Sequence, residues 1–400
     1  MSLRVLPDLT DPDLYANGDP HAAWAMMRRE CPVLWHDHGG PDQEPFWAVT
    51  TYETGLQVLT DWHTFSSTNG TFLRANLSDS FPGGGKMLNL MDPPRHTMLR
   101  RAFANLFTRA AVSRMEPRIR EIARDLIAAA VDAGACDFAN DVAAEFPLTV
   151  AAELLSVEPE DVAKISKLNR LAAENSSEFD GAIAQGAHLE ILRYGADVVQ
   201  KRWENPGADL ISAMVQAQHN GIDVSVEEMV LTYDNVLFGV TETTRHTVTS
   251  GLLALLESPR QLQALRRGEA SLEIAVEEIL RCFPAINHLL RTATADTTVA
   301  DASIRAGQPV TVWLASMNRD ETLFECPDDF IIDRYPNRHI TFGGGMHFCL
   351  GAALARLMMR VLLEELFGMT REIALNDTPQ RIPSHLTSGL ESLFITLRPR

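Results

Sequence analysis

The chain has 400 residues, with 35 lysines and arginines against 53 aspartates and glutamates and a formal net charge of −18. This excess of acid argues against a nucleic-acid partner, because phosphate binding requires a basic face. The five cysteines (31, 136, 282, 326 and 349) are scattered and odd in number, which fits a reducing compartment and disfavours a disulfide framework or a zinc site.

No Pro/Ser/Gly-rich linker, charge block or repeat divides the chain, and its 46% hydrophobic content is ample for one large core. We therefore predict a single domain over residues 1–400. No apolar run reaches the roughly 18 residues of a membrane helix, and the N-terminus is too polar for a signal peptide. These features predict a cytoplasmic protein that does not associate with membranes.

The predicted elements begin with a short alternating strand at 46–50, a helix at 52–59 and a long irregular stretch at 61–89. From 94 to about 256, apolar residues recur at i, i+3 and i+4 spacing, which predicts helix throughout. The longest helix starts at the capping box Ser225-Val-Glu-Glu228 and continues without proline to Glu257. With about 30 residues it spans about 45 Å, enough to cross the molecule. Later strands are predicted only at 289–293, 309–314 and 393–397, so the fold class is mainly α with a smaller β region (α+β).

Asp92-Pro-Pro-Arg-His96-Thr-Met-Leu-Arg100 opens one of the predicted helices, with prolines in the first turn where their missing N–H groups cost little. His96 and Arg100 are four residues apart and therefore share a face. Both side chains are donors suited to the carboxylates of a ligand.

The middle of the long helix reads Phe238-Gly-Val-Thr-Glu242-Thr243-Thr244. Threonine is a poor helix former, so an acid flanked by hydroxyl groups in a helix interior indicates a function. Further along, Glu278-Ile-Leu-Arg281 places opposite charges at i, i+3, where they can pair.

Residues 342–351, Phe-Gly-Gly-Gly-Met-His-Phe-Cys-Leu-Gly, are the most informative stretch. Glycines 343–345 let the backbone turn sharply and come close to a flat cofactor. Cys349 precedes an apolar helical run at 352–366, and a helix N-terminus stabilises a thiolate, the form that ligates a metal. His347 is a donor for an anionic group of that cofactor. The alternative reading is a structural turn followed by a buried cysteine.

This stretch resembles the haem-ligand signature of the cytochrome P-450 family, Phe-x-x-Gly-x-His/Arg-x-Cys-x-Gly, at Phe342, Gly345, His347, Cys349 and Gly351. The three earlier motifs resemble those of the same family in the expected order, so the resemblance covers nearly the whole chain. It implies the cytochrome P-450 fold, with the long helix crossing over haem b (iron protoporphyrin IX). It also implies that Cys349 ligates the iron and supplies electron density for O–O cleavage in a monooxygenase.

The resemblance further implies that His96, Arg100, Arg291 and His347 hold the haem propionates. Glu242 would relay protons, and Thr243 would hold dioxygen and its water. Val240 replaces the second glycine of the family's pattern, which affects the width of the oxygen groove.

The ion pair of Glu278 and Arg281 is implied to lock the loop that supports the haem pocket. The family usually adds a third, basic partner. Asp329 occupies one place where arginine often stands, so Arg334 is the predicted third member.

The substrate pocket is expected, by family position, to be mostly apolar with a few polar groups, among them Asn76 and Asn89. The predicted lining is Phe72, Leu73, Leu77, Leu88, Leu237, Phe238, Gly239, Ile286, Asn287, His288, Leu289 and Leu393. Such a pocket predicts hydroxylation or epoxidation of a mostly apolar secondary metabolite or its biosynthetic intermediate, free or bound to a carrier protein.

Dioxygen and a ferredoxin or flavodoxin-type electron donor with its reductase are the other implied partners, because no redox domain is fused to the chain. The expected docking face for this donor is basic and contains Arg100, Arg101, Arg109, Arg114, Arg338, Arg356 and Arg360. The alternative reading is that these are scattered surface arginines. Two alternatives are a haem-thiolate peroxygenase, which would not need the Glu242–Thr243 pair, and a haem-binding sensor or carrier, which would not need a substrate pocket.

Overall fold

The structure is a computed structural model that describes residues 8–37, 44–73, 83–174 and 182–400. Asn76 and Leu77, both predicted near the substrate, lie outside the described residues. The helices are α1 (Pro12–Ala16), α2 (Pro20–Glu30), α3 (Tyr52–Thr60), α4 (Arg95–Phe103), α5 (Arg109–Ala133), α6 (Glu145–Leu154), α7 (Val162–Glu174), α8 (Ala182–Glu204), α9 (Leu210–His219), α10 (Val226–Glu257), α11 (Pro259–Arg266), α12 (Leu272–Cys282), α13 (Leu314–Met317) and α14 (Ala352–Met369).

The strands form three small sheets at the periphery of the helices. They are β1 (Val33–His36), β2 (Phe46–Val49), β3 (Phe65–Ser66), β4 (Ala135–Asp137), β5 (His288–Ala293), β6 (Thr297–Val299), β7 (Ala302–Ile304), β8 (Pro309–Trp313), β9 (Thr370–Leu375) and β10 (Phe394–Pro399). The largest sheet has the order β1-β2-β8-β5-β3, and within it only the β2–β8 pair is parallel among the described strands. The others are β4-β10-β9 and the hairpin β6-β7.

The predicted class, mainly α with a smaller β region, is confirmed. The strands predicted at 46–50, 289–293, 309–314 and 393–397 correspond to β2, β5, β8 and β10. The prediction that strand structure was confined to these segments was wrong, because β1, β3, β4, β6, β7 and β9 are also present. Several of these are only two or three residues long, and β3 and β4 become strands by pairing with the distant β5 and β10. Such pairing leaves no local period in the sequence.

Helix α10 begins and ends where the sequence predicted. The Ser225 hydroxyl accepts from the Glu228 N–H at 3.2 Å, and the Glu228 carboxylate accepts from the Ser225 N–H at 2.8 Å. This capping box satisfies two backbone donors that the helix cannot satisfy itself. The helix contacts α6, α7, α8, α9, α11, α12 and α14. It is therefore the central helix, around which these seven helices pack.

Gly251 allows α10 and α12 to approach closely. A Cβ atom at this position would lie 2.4 Å from Cγ2 of Ile279, far inside van der Waals contact. The close approach fixes the position of α12, which carries Glu278 and Arg281, relative to α10.

Among the helices in the described ranges, none combines the length and the apolar character that a membrane span requires.

Candidate active site

A cavity of about 310 Å³ lies between α10 on one side and the 342–351 loop with the start of α14 on the other. Helix α4 and the segment that leads into β5 complete its walls. Four of the side chains that line it can ligate a metal or exchange protons: His96, Thr243, His347 and Cys349. Residues far apart in the sequence thus meet in one cavity.

The loop that carries Cys349 is shaped by two glycines with left-handed backbone, Gly343 at φ +68° and Gly345 at φ +64°. A Cβ atom on Gly345 would lie 2.5 Å from the carbonyl oxygen of Leu59 in α3, so no other residue fits there. The Cys349 N–H donates to the Phe342 carbonyl at 2.9 Å and closes the loop. The cysteine is therefore presented to the cavity by a backbone with little freedom.

The pKa of the Cys349 thiol lies on the other side of its ordinary value from the one that the sequence predicted. Burial raises the pKa of its thiol above the ordinary value, although the N–H groups of Gly351 and Ala352 and the guanidinium groups of Arg100 and Arg356 all act to lower it. The helix N-terminus favours the thiolate as predicted, but burial outweighs it. A coordinating metal deprotonates a thiol outright, and the surrounding donors then stabilise the charge.

His96, Arg100, Arg291 and His347 form a group of donors; His96 and Arg291 are buried, Arg100 and His347 are partly buried, and all but Arg291 line the cavity. The rings of His96 and His347 lie 4.4 Å apart between centroids. Neither ring nitrogen of His96 has a hydrogen-bond partner among the described residues, although both are buried. The Arg100 guanidinium donates to the carbonyls of Met346 at 3.2 Å and Phe348 at 2.7 Å.

These groups disfavour one another's positive charge. Burial, with Arg100 and Arg291, lowers the pKa of His96 to about 4, against a smaller opposing effect of Asp92. Burial, Arg291, His96 and Arg100 lower the pKa of His347 to about 2. Burial likewise lowers the pKa of Arg291 to about 10. An anion placed among these donors would relieve the repulsion.

The acid and the alcohols of α10 face different directions. Gly239, Val240, Thr243 and Thr244 line the cavity, whereas Glu242 does not. Thr243 donates its hydroxyl to the Gly239 carbonyl at 2.7 Å. The Thr244 Oγ1 is buried and has no hydrogen-bond partner in the part of the chain that the structure describes.

Glu242 is buried on another face of α10. Its carboxylate accepts from the Asn169 side chain of α7 at 3.1 Å, and it lies 3.5 Å from Nη1 of Arg245 and 3.6 Å from Nε2 of His246. Burial raises the pKa of Glu242, but the contacts with His246 and Arg245 outweigh it and lower the pKa below the usual value. The carboxylate is thus ionised near neutral pH.

Glu278 and Arg281 form a two-pronged ion pair, with both N···O distances 2.8 Å and neither side chain exposed. Arg334 Nε lies 3.1 Å from both carboxylate oxygens, and the Ile331 N–H and Asn337 Nδ2 also donate to them. Arg281 in turn binds the carbonyls of Asn318, Pro327 and Asp329. Through these bonds, α12 holds the segment that leads into the cysteine loop.

The structure divides the predicted pocket residues into two groups. Phe72, Leu88, Gly239, Ile286 and Leu289 line the cavity. Six others lie outside its lining: Leu73, Leu237, Phe238, Asn287, His288 and Leu393. Leu237 and Leu393 pack in the main hydrophobic core instead, and His288 Nε2 accepts from the Leu73 N–H at 3.2 Å.

Sequence reasoning did not find four lining residues of α10, Thr232, Asn235, Val236 and Thr247, which share a face with Thr244. Together with Gly239, Val240 and Thr243 they recur every three or four residues, the spacing of one helix face. Extending that face from Thr243 along the helix would have found them. Phe103 and Phe107 were also missed, since nothing local separates them from other buried aromatic residues.

Comparison with known proteins identifies the family of the chain. Residues 271–369 match the family model "Cytochrome P450". The chain is 36% identical to cytochrome P450 126 of Mycobacterium tuberculosis, over 98% of this chain and 97% of the relative. It is 35% identical to the steroid C26-monooxygenase of Mycolicibacterium smegmatis, over 100% of this chain and 98% of the relative. The crystal structure of P450 OxyD, which is involved in the biosynthesis of vancomycin-type antibiotics, superimposes with a TM-score of 0.90 at 34% identity, covering 98% of this chain and 100% of that one.

The fold and these relatives define an oxidoreductase whose cofactor is haem iron. The chain belongs to the cytochrome P450 family, and it is a P450 monooxygenase that acts on an organic substrate.

Arg281→Ala is expected to yield protein that fails to fold or to retain haem, because Glu278 is left as a buried charge without its main partner. Breaking a buried pair in this way costs about 3–5 kcal/mol, a large share of a domain's stability. Arg267→Ala, which removes an exposed pair with Glu269, is the matched control and should change stability by less than about 1 kcal/mol. The measurements are soluble yield, haem content and thermal unfolding; normal values for Arg281→Ala would contradict the prediction.

Proposed function

We propose that this protein binds haem b with the Cys349 sulfur as the iron ligand and inserts one atom of dioxygen into an organic substrate. The observation that carries the proposal is the juxtaposition of Cys349, exposed to the cavity, with the buried donors around His96. A thiolate-ligated haem supplies the oxygen-splitting chemistry when bound.

The chain's side chains fit this cofactor. The two unpartnered ring nitrogens of His96 and the guanidinium of Arg291 suit the anionic propionates, and His347 and Arg100 add donors beside them. Apolar residues such as Leu350, Leu354 and Met358, on the same side of the cavity as Cys349, suit a flat hydrocarbon ring system. Phe342, whose ring lies 4.6 Å under the Arg356 guanidinium, packs beside the cysteine loop.

The residues of α10 handle protons in the proposed reaction. The hydroxyls of Thr243 and Thr244 border the cavity and hold water there, and Gly239 leaves room between them and the loop. Glu242 is the acid that resupplies their protons, a role worth about 10²–10⁴-fold in rate. Val240 lines the same wall and limits the width of the groove.

The proposed substrate is a mostly apolar terpenoid, steroid or related secondary metabolite with one or two polar groups. Phe72, Leu88 and Leu289 supply apolar surface, while Asn89 and Asn235 supply hydrogen-bonding groups in the same cavity. Relatives named for such substrates include the steroid C26-monooxygenase and the linalool 8-monooxygenase of Pseudomonas putida, 30% identical over 98% of this chain.

A ferredoxin or flavodoxin-type donor with its reductase is the proposed source of electrons. Met346 and Phe348, in the loop that carries Cys349, are exposed, and Arg100 donates to the carbonyls of both. Four further arginines of the predicted docking face are exposed: Arg101, Arg109, Arg114 and Arg338. Arg356 and Arg360 are already bound to Glu277 and Glu364, which reduces their availability to a partner.

The substrate is also proposed to be attached to a carrier protein, since a structural neighbour with a TM-score of 0.84 is complexed with acyl carrier protein. We place the enzyme in the cytoplasm.

Cys349→Ala should lose the thiolate signature in the spectrum of the reduced carbon monoxide complex. Cys326→Ala, which removes an exposed free thiol elsewhere, is the control and should keep it. A wild-type spectrum from Cys349→Ala would mean that another residue ligates the iron.

Thr243→Ala should keep haem and substrate affinity while less product forms per reductant consumed, with the remainder appearing as hydrogen peroxide. The reason is that this hydroxyl acts on protons after the substrate has bound. Thr244→Ala is the comparison, because the Thr244 hydroxyl also borders the cavity. Unchanged coupling in the first variant with a loss in the second would assign the role to Thr244, and unchanged coupling in both would remove it from this pair.

Oxygenated terpenoids and steroids should shift the haem absorption band at lower concentrations than their hydrocarbon parents. Asn235→Leu should reduce that preference by about tenfold, because an unpaired buried polar group discriminates against a ligand without a matching group. The measurement is a spectral titration with matched pairs of ligands. Equal affinities within each pair in the wild type would show that the polar groups of the cavity do not contribute to substrate recognition.

A further inference from the structure

The Glu242 carboxylate is buried among three polar side chains, and the proposed function does not by itself require these contacts. Its neighbours come from two helices: Arg245 and His246 lie one turn further along α10, and Asn169 reaches across from α7. The carboxylate, the guanidinium and the imidazole are all at least nine-tenths buried as whole residues. Outside the haem-binding motifs, this is a costly arrangement to maintain, because each charge must be paired.

Two details show that the surroundings are adapted to this cluster. The Asn169 amide also donates to Thr241 Oγ1 at 3.0 Å, so a single side chain binds two consecutive residues of α10. On the other side, Gly389 lies against the His246 ring, where a Cβ atom would come within 2.4 Å of Nδ1. Arg245 is held in turn by the Asn140 side chain at 2.7 Å.

We propose that Asn169 and His246 are positioning residues for Glu242, which hold its carboxylate ionised and turned away from the cavity, and that Asn169 makes this position depend on helix α7. The inference rests on the proposed role of Glu242 as the proton source. An ionised carboxylate held beside Arg245 and His246 has no proton to donate, so Glu242 must take up a proton before it serves the cavity.

The two kinds of contact have different consequences. Arg245 and His246 belong to α10 and move with Glu242, so they stabilise its charge whatever the neighbouring helices do. Asn169 belongs to α7, whose described side chains do not line the cavity. A displacement of α7 therefore weakens the hold on Glu242 without moving any of the described residues that line the cavity.

The charged and titratable groups that face Glu242 in the described structure are Arg245 and His246 of α10, and the group from α7 is the neutral Asn169. All three act in the same direction, toward the ionised form. Removing any one of them should move the ionisation equilibrium toward the neutral acid. Loss of a hydrogen bond to a charged group shifts an equilibrium by about tenfold.

The test is an infrared pH titration of the haem-loaded protein without substrate, in which the protonated-carboxyl band of Glu242 is assigned by its loss in Glu242→Gln. Asn169→Leu should lower the ionisation constant of Glu242 by about tenfold, and His246→Gln, at an independent position, should lower it as well. The matched control is Ser166→Ala, which removes another buried polar side chain of α7 that binds Glu145 rather than Glu242. The control should titrate like the wild type.

Product formation provides the second readout. In Asn169→Leu the pH above which the rate declines should move upward, with substrate affinity unchanged. An unaltered titration and pH profile in both variants, or the same change in Ser166→Ala, would overturn the inference. If Glu242→Gln itself formed product at the wild-type rate, the proposed acid role would fail instead, whatever the titrations showed.

Discussion

The buried ion pair between Glu278 and Arg281 is the interaction on which the rest of the site depends. The Glu278 carboxylate accepts hydrogen bonds from Arg281, Arg334, Asn337 and the Ile331 backbone. Because Arg281 also binds three backbone carbonyls of 318–329, one carboxylate organises an irregular segment without regular secondary structure. Such a segment has few backbone bonds of its own, so charged side chains must supply them.

The order of this segment extends directly to the cysteine. Thr341 donates its hydroxyl to the Leu280 carbonyl of α12 at 2.7 Å, and Asn318 binds the same hydroxyl at 2.8 Å. Two residues later, at Gly343, the chain enters the glycine turn, whose close contact with Leu59 leaves no space for a side chain at Gly345. The position of the Cys349 sulfur is therefore determined by a buried ion pair on one side and by steric exclusion on the other.

Buried charge serves two different purposes in this protein. Around Glu278 the charges are fully paired and hold backbone in place, which suits a permanent support. Burial and neighbouring guanidinium groups lower the pKa of His96 and His347, and burial lowers the pKa of Arg291. These donors suit an anionic ligand, since a nearby anion favours their charged forms. Glu242 is intermediate: it is paired within its own helix and restrained by a neutral amide from another. That weaker link is the one a helix movement can change.

The sequence by itself was enough to identify the family and to indicate the candidate site residues, because each motif is local: Phe342–Gly351, the His96/Arg100 pair, the Glu242–Thr243 pair and Glu278/Arg281 are readable from spacing within one turn or one helix. It also determined the limits of α10, since capping is a contact between residues three apart. Only the tertiary structure decided the short strands, the turning of Glu242 toward Asn169, and the exclusion of Leu73, Leu237 and Leu393 from the cavity. These outcomes depend on contacts between segments far apart in the chain, and a side chain's direction is set by whichever partner is packed against it rather than by its neighbours in sequence.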